Sequence, residues 1–320
     1  MKYLLNTSTD PHRNMAFDEF ALEALTLPEP VFYLWQNAPS VIIGLNQSPY
    51  AEVNLPFLQE KGIVLARRVT GGGAVYHDWG NLNYSIVGSI RAMENAFEWV
   101  PEALCALGVP ARRTGRNDIL VDGRKCSGYA KRLSRGRMMI HGTLMWDVDL
   151  QTLTEALRVP GSKVDAAGVA SVTSRVANLK DYLPQYGSLE AFREALHALL
   201  SAGDGPCPLP EDAARRIESL EREKFGRWEW IYGHAPESTH CKRQKFACGT
   251  IEVHYSLKRG VLSEVSFLGD FIGDRPAQEL ARKLKGLRPE QLASADAGAY
   301  FDGLSAREFA SLFTDWVFAL

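Results

Sequence analysis

The sequence predicts an α+β fold, with a large mixed-sheet domain followed by a small C-terminal α+β domain. Three observations carry that expectation. Short strand-like runs crowd the first half of the chain, with helical patterns interspersed among them and not in the regular alternation of a parallel sheet. Two stretches that cannot continue a helix, 203–210 and 233–238, punctuate the second half. At 320 residues there is room for one large and one small core, and the tail after the second break has the length of a small domain. The expected division is residues 1–238 and 239–320.

Taken in order, Asp10-Pro11 reads as an N-cap followed by proline at the first helical position, and Phe17, Phe20, Ala21, Ala24 and Leu25 then recur at helical spacing. Strands are expected at Val31 to Trp35, Val41 to Gly44, Ile63 to Ala66, Asn83 to Val87, Ile119 to Val121, Lys125 to Tyr129 and Met138 to Leu144. Helices are expected at Glu94 to Leu107, with a break or kink near Pro101, and at Leu150 to Leu157, Ser188 to Leu200 and Glu211 to Lys224. In the tail, Thr250 to Leu257 and Val261 to Phe267 flank Lys258-Arg259-Gly260 as a hairpin, before helices at Pro276 to Leu284 and Ser305 to Ala319. No internal repeat is visible.

Composition is that of an ordinary globular protein, and a formal charge of -2 gives no bias toward nucleic acid or membrane. The five cysteines are scattered and odd in number, which argues for a reducing compartment and against a disulfide framework. No apolar run is long enough to span a bilayer, and the N-terminus lacks the apolar core of a secretory signal or an Arg-rich transit segment. A cytoplasmic enzyme is expected, with no nucleic-acid or membrane partner.

The run from Arg67 to Asp78 contains Gly71-Gly72-Gly73 between the strand-like Ile63 to Ala66 and Ala74-Val75-Tyr76. Three consecutive glycines in an apolar and basic context imply a backbone forced to positive φ or approached closely by something. Bare backbone N–H groups after two arginines suit an anion such as phosphate, while a structural turn explains the same glycines.

A second dense segment spans residues 115–130. Asp122-Gly123 between two β-like runs signals a two-residue hairpin turn. Regular pairing then sets Asp118, Leu120, Lys125 and Ser127 on one face and Ile119, Val121 and Cys126 on the other, unless a β-bulge intervenes. Lys125 thereby shares a face with Asp118, either as a surface ion pair or beside a ligand, and Cys126 reads as a small core residue. Arg112, Arg113, Arg116, Arg124, Lys131, Arg132, Arg135 and Arg137 make the surroundings basic, which calls for an anionic partner or plain solvation. His77 and His141 stand at strand edges. In the tail, His240, Cys241, Cys248 and His254 match no CxxC or HxxxH spacing, so no metal site is expected there.

Together these motifs resemble the lipoate-protein ligase family, whose members carry R-R-x-S-G-G-G-A-V-[FY]-H-D, then R-N-D, K-x-S-G-x-A and H-G-T-L. All four occur in order, as Arg67 to Asp78, Arg116 to Asp118, Lys125 to Ala130 and His141 to Leu144. Ser171 to Leu179 looks like the family's S-V-x-S-R-V-x-N-L segment. The resemblance implies the large domain of biotin and lipoate ligases and an enzyme that activates lipoate with ATP and Mg²⁺ to lipoyl-AMP, releasing pyrophosphate. It then transfers the lipoyl group to one lysine of an acceptor, a lipoyl domain of a 2-oxo acid dehydrogenase acyltransferase or a glycine cleavage H protein. By matching position, Lys125 resembles the catalytic lysine. Arg68, Gly73, Ala74, Val75, Tyr76, Asn117, Asp118 and Lys125 would meet the nucleotide. Arg68, Thr70, Gly72, His77, Lys125 and His141 would meet lipoate, and Asp118 would hold Mg²⁺. Trp35 and the Val41 to Gly44 strand would help line an apolar tunnel for the acyl chain. The tail resembles the small domain of two-domain members, and a monomer is expected.

Three positions depart from the family pattern. Leu45 stands where many members have arginine, Thr70 replaces serine, and Cys126 takes a position normally aliphatic. The nearest alternative is a lipoyltransferase that uses preformed lipoyl-AMP. An octanoyltransferase needs an acyl-carrying cysteine, for which neither Cys105 nor Cys126 is well placed. From another class, the basic segment could serve an RNA-binding module, although it lacks aromatic interleaving beyond Tyr129. The basic surface around Arg132 and Arg135 is the expected docking face for an acidic acceptor.

Overall fold

In the computed structural model the described residues are 1–25, 28–47, 49–114, 117–157, 175–232, 240–258, 261–287 and 289–313. After the short strand β1 (Lys2–Tyr3) comes the helix α1 (Pro11–Ala24). Asp10 caps it through its side chain, which accepts from the backbone N–H groups of His12 and Arg13, and Pro11 fills the first turn where no N–H is needed.

The sheets of the large domain are mixed, as expected. The remaining strands are β2 (Val31–Trp35), β3 (Ser40–Ile43), β4 (Val64–Arg67), β5 (Val75–His77), β6 (Asn81–Ser89), β7 (Ala111–Thr114), β8 (Asp118–Val121), β9 (Arg124–Ser134) and β10 (Arg137–Met145). Seven form one sheet in the order β1-β2-β6-β10-β9-β8-β7, and three form a second in the order β4-β3-β5. Among the described strands, β1–β2 and β3–β4 are the pairs that run parallel. Helices Ala96–Ala106 and Leu189–Ser201 cover one face of the large sheet, around Phe32, Ile86, Ile140 and Phe192. On the other face α1 and the helix Ala213–Leu220 pack around Tyr33, Val87, Met139 and Phe225.

Several details differ from the expectation. The helix Ala96–Ala106 runs unbroken through Pro101, and a 3₁₀ turn, Arg91–Met93, precedes it. The helix at 213 ends at Leu220 and continues as a single π-helical turn, Glu221–Phe225. The helix Leu55–Lys61, along with β1, β5 and β7, had no strong periodic signal.

The small domain is an antiparallel sheet of β11 (His240–Phe246), β12 (Gly249–Lys258) and β13 (Val261–Gly269), with the helices Ala277–Leu284 and Ala306–Ser311. The hairpin and both helices were expected, but β11 was not. The expected boundary at 238 and 239, the start of the 171–179 motif, Arg116 and the end of the last helix lie outside the described residues. No helix among the described residues is long and apolar enough to cross a membrane.

Candidate active site

One cavity is lined by segments far apart in sequence: the end of the glycine loop and β5, then β9 and β10, with walls from α1, β2 and β3. Met15, Trp35, Ile42 and Val75 make part of it apolar, while Lys125 and Asn117 bring polar groups. Lys125 has a side chain 38 % exposed and so marks the open end; His77, 2 % exposed, lies inside.

The glycine loop is held from within by the two arginines before it. Arg67 is fully buried and donates to the backbone carbonyls of Gly44, Leu45, Gln47, Trp230 and Ile231. Each of its three guanidinium nitrogens is engaged by backbone carbonyls, and of the two arginines only Arg68 lines the cavity. Arg68 bonds the carbonyls of Ile42, Gly71 and Gly73 and the hydroxyl of Thr70. Burial lowers both guanidinium pKa values to about 10, still above neutrality. The glycines answer two separate needs. Gly72 has φ +91°, and a Cβ on Gly71 would lie 2.5 Å from the carbonyl oxygen of Phe271 in the small domain. The Gly72 N–H donates to that same carbonyl at 3.2 Å.

Two buried relays run from a single face of α1. In the first, Asn14 Nδ2 donates to Asn37 Oδ1 at 2.7 Å, which orients the Asn37 amide toward His77 Nδ1 at 3.0 Å. With Nδ1 accepting, the His77 proton sits on Nε2, a buried atom with no hydrogen-bond partner among the described residues. Burial, helped by Arg68 and His141, depresses the His77 pKa to about 3. Asn83 Nδ2 is a second buried donor without a partner among the described residues, and both residues line the cavity. Two buried donors without partners among the described residues, on side chains that line one cavity, suit an acceptor that arrives with a ligand.

The second relay starts at Asp18, four residues beyond Asn14. Its carboxylate accepts from Tyr33 Oη, Ser85 Oγ and His141 Nδ1, the last at 2.6 Å. His141 Nε2 meets Thr70 Oγ1 at 2.7 Å, and Arg68 Nε donates to that hydroxyl at 3.0 Å. An acid inside α1 is thus coupled through His141 and Thr70 to the arginine that shapes the glycine loop.

Lys125 Nζ lies 2.7 Å from Asp118 Oδ1, as the hairpin reading placed them. The register differs by one bulge: Val121 and Leu120 face Arg124 and Lys125, but Ile119 pairs with Ser127 and Asp118 with Gly128. Cys126 still turns into the core beside Ile119 and Val121, with its thiol pKa pushed up to about 12 by burial, and is no nucleophile. Ser127, expected on the lysine's face, is instead fully buried and absent from the cavity wall, and Gly128 takes its place. A Cβ at Gly128 would sit 3.0 Å from Lys125 Nζ. The 171–179 motif reaches the same spot, since Arg175 and Ala177 exchange backbone hydrogen bonds with Lys125.

Of the residues singled out in the sequence, Arg68, Gly73, Ala74, Val75, His77, Asn117, Lys125 and His141 line this one cavity. Thr70, Gly72 and Asp118 stand behind it in the contacts just described. The side chain of Tyr76 points the other way, into a core with Val41, Ile43 and Met145. Trp35 and Ile42 line the cavity as expected, whereas Val41 and Ile43 face that core. Sequence reasoning missed Asn14, Asp18, Asn37 and Asn83. The signal for the first two was there: Asn14 and Asp18 fall on the apolar stripe of α1 with Phe17 and Ala21. The basic segment is also less free than expected, because Arg132 donates to the Val69 carbonyl and Lys131 pairs with Asp274 and Asp302.

The family model described as lipoyl protein ligase A/B catalytic domain matches residues 10–201, and that of the bacterial lipoate protein ligase C-terminus matches 235–313. The chain belongs to the lipoate-protein ligase family. Lipoate-protein ligase LplJ of Bacillus subtilis (strain 168) is 35% identical over 319 residues, covering 95% of this chain and 96% of that one. Among solved structures, a bipartite lipoate protein ligase of Thermoplasma acidophilum, described with its E2 lipoyl domain, aligns at a TM-score of 0.66 and 29% identity, over 75% of this chain and 98% of the other. A lipoate-protein ligase A bound with ATP aligns at 0.63 and 30% identity, over 73% and 99%. Membership in this ligase family makes the chain an enzyme, and the RNA-binding alternative is set aside.

Proposed function

We propose that this lipoate-protein ligase carries out both half-reactions, forming lipoyl-AMP from lipoate and ATP and then passing the lipoyl group to a lysine of an acceptor protein. The observation that supports it best is the cavity itself: apolar walls, two buried donors at His77 and Asn83 without a partner among the described residues, and the ammonium of Lys125 at the open end.

In the first half-reaction a carboxylate oxygen of lipoate attacks the α-phosphorus of ATP. A P–O bond forms there as the bond to pyrophosphate breaks. Both reactants are anions, so a fixed cation between them stabilises the charge gathering in the transition state, which is the role given to Lys125. Arg68, Gly73, Ala74, Val75, Tyr76, Asn117 and Asp118 are assigned to the nucleotide. Arg68, Thr70, Gly72, His77 and His141 are assigned to the acyl substrate, with Asn83 added to them. In the second half-reaction the acceptor amine attacks the acyl carbon, an amide forms, and AMP leaves with the electrons of the broken C–O bond.

Asp118 fits a Mg²⁺ role in kind: it is a carboxylate whose Oδ1 is buried and, apart from the ion pair with Lys125, accepts no well-directed hydrogen bond among the described residues. Mg²⁺ would neutralise phosphate oxygens there when bound. For a bound substrate to use the Gly72 N–H, the carbonyl of Phe271 must give it up, so the small domain has to yield at that contact.

Lipoyl domains are the proposed acceptors, in keeping with the T. acidophilum relative, and glycine cleavage H protein is the second class. Because Arg132 is engaged internally, Arg135, 83% exposed, is the stronger of the two docking candidates. The catalytic unit is proposed as residues 1–238 and the accessory unit as 239–320, working as a monomer. A cytoplasmic site agrees with five cysteines that are all free.

Lipoate-dependent pyrophosphate release from Mg-ATP, without acceptor, tests this reading. Release with lipoyl-AMP retained is expected, and Lys125→Ala should slow it by at least ~100-fold. No release from the wild type, with transfer from supplied lipoyl-AMP, would instead identify a lipoyltransferase.

A further inference from the structure

The small domain brings together three side chains that linear spacing keeps apart. In the β11–β12 register Cys241 lies opposite His254, and Glu252 sits two residues away on the same face of β12. Cys241 Sγ is 3.8 Å from His254 Nε2, and Nε2 is 2.5 Å from Glu252 Oε1. All three ligand atoms fall within 4.8 Å of one another. A tetrahedral zinc ion, with Zn–S of about 2.3 Å and Zn–N or Zn–O of about 2.0–2.1 Å, holds its ligand atoms roughly 3.3–3.6 Å apart. The sulfur and nitrogen already stand near that spacing, and the carboxylate oxygen needs only to draw back by about an ångström.

The surroundings also match a built site. The other Glu252 oxygen, Oε2, is 3.5 Å from Arg243 Nη1, and Arg243 Nη2 is 3.6 Å from Glu52 Oε1 of the large domain. Arg243 therefore supports the carboxylate from behind and leaves Oε1 aimed at the imidazole, as outer partners of metal ligands do. Cys241 is exposed while Glu252 and His254 are half-buried, so one coordination position opens to solvent. The other two members of the tail cluster do not join: His240 stacks on Tyr255, and Cys248 is buried in the core of the small domain.

We propose that Cys241, Glu252 and His254 form a three-ligand site for a borderline divalent transition metal of the zinc class, with water as the fourth ligand. A thiolate, an imidazole and one carboxylate oxygen select such ions over Mg²⁺ and Ca²⁺, which prefer all-oxygen shells. On binding, the thiol gives up its proton and His254 presents the Nε2 lone pair. The ion ties edge strand β11 to β12 and is separate from the Asp118 position.

The test is a Co²⁺ titration of the full-length protein, kept reduced with a phosphine. Stoichiometric binding is expected, with thiolate-to-cobalt charge-transfer absorption and the visible bands of a tetrahedral site. Cys241→Ser should remove the charge-transfer band, and His254→Ala should weaken binding by roughly tenfold or more. Cys105→Ser and Cys207→Ser should keep the spectrum. In the unmutated protein, Zn²⁺ should displace the cobalt and slow alkylation of Cys241 by iodoacetamide, mapped by mass spectrometry. A charge-transfer band that persists in Cys241→Ser, or Cys241 alkylation at the same rate with and without Zn²⁺, overturns the proposal.

Discussion

Asp18 holds three donors at once, from Tyr33, Ser85 and His141, with 1% of its surface exposed. Asp18→Asn keeps the shape but weakens every one of those bonds and places an amide where donors converge. A loss of about 2 kcal/mol is expected in urea unfolding, together with a raised KM for lipoate as His141 and Thr70 lose their register. His77 gives a pH signature. Its pKa is about 3 when folded and about 6.5 when unfolded, so the unfolded chain binds the extra proton throughout that window and stability falls as the pH drops through it. Between pH 7 and 4.5 this amounts to roughly 2–3 kcal/mol. Urea melts at both pH values should show a smaller acid loss in His77→Asn, whose carbamoyl oxygen can replace Nδ1 as the acceptor for Asn37. The motif residues Arg68, His77, Lys125 and His141 were legible in the sequence because they stand in recognisable runs. Asn14 and Asp18 left only the trace of polar residues on an apolar stripe, and Asn83 left none, because a linear string does not separate a buried polar residue that serves a site from one that merely interrupts the stripe.

The β8–β9 hairpin shows how an element turns sequence into chemistry. Asp122-Gly123 predicted the turn and its first two pairs correctly, but the bulge beyond Leu120 could not be read from alternation alone. Its consequence is that a glycine, not a serine, adjoins the lysine ammonium. Gly128→Ala should therefore displace Lys125 Nζ and slow pyrophosphate release by roughly tenfold, with the fold intact by circular dichroism, since the nearest atoms belong to a flexible side chain. Edge strands β7 and β11 escaped notice for a related reason. Arg112-Arg113 and the run His240 to Lys245 are polar and exposed, as strands at a sheet margin tend to be, so they carry little hydrophobic period.

At the scale of the whole molecule, the two domains meet over the glycine loop. The Phe271 carbonyl reaches Gly71 and Gly72, Gln278 bonds Asn46, and Lys131 pairs with Asp274. A methyl group at Gly71 has no room there, so Gly71→Ala should separate the domains. Small-angle scattering should record a larger radius of gyration, and calorimetry should resolve two unfolding transitions in place of one. The sequence announced two domains but not this docking, because the Phe271 carbonyl is a backbone group and the Gln278–Asn46 and Lys131–Asp274 pairs join residues far apart in the chain. Arg67 extends the consequence further. By clasping the carbonyls of Trp230 and Ile231 it anchors the chain just ahead of the small domain to the root of the glycine loop. In mechanical terms that guanidinium is a bollard. Tension applied through the small domain in an optical trap is delivered to a knot of buried hydrogen bonds, and Arg67→Leu should lower the rupture force without any load having touched the substrate cavity.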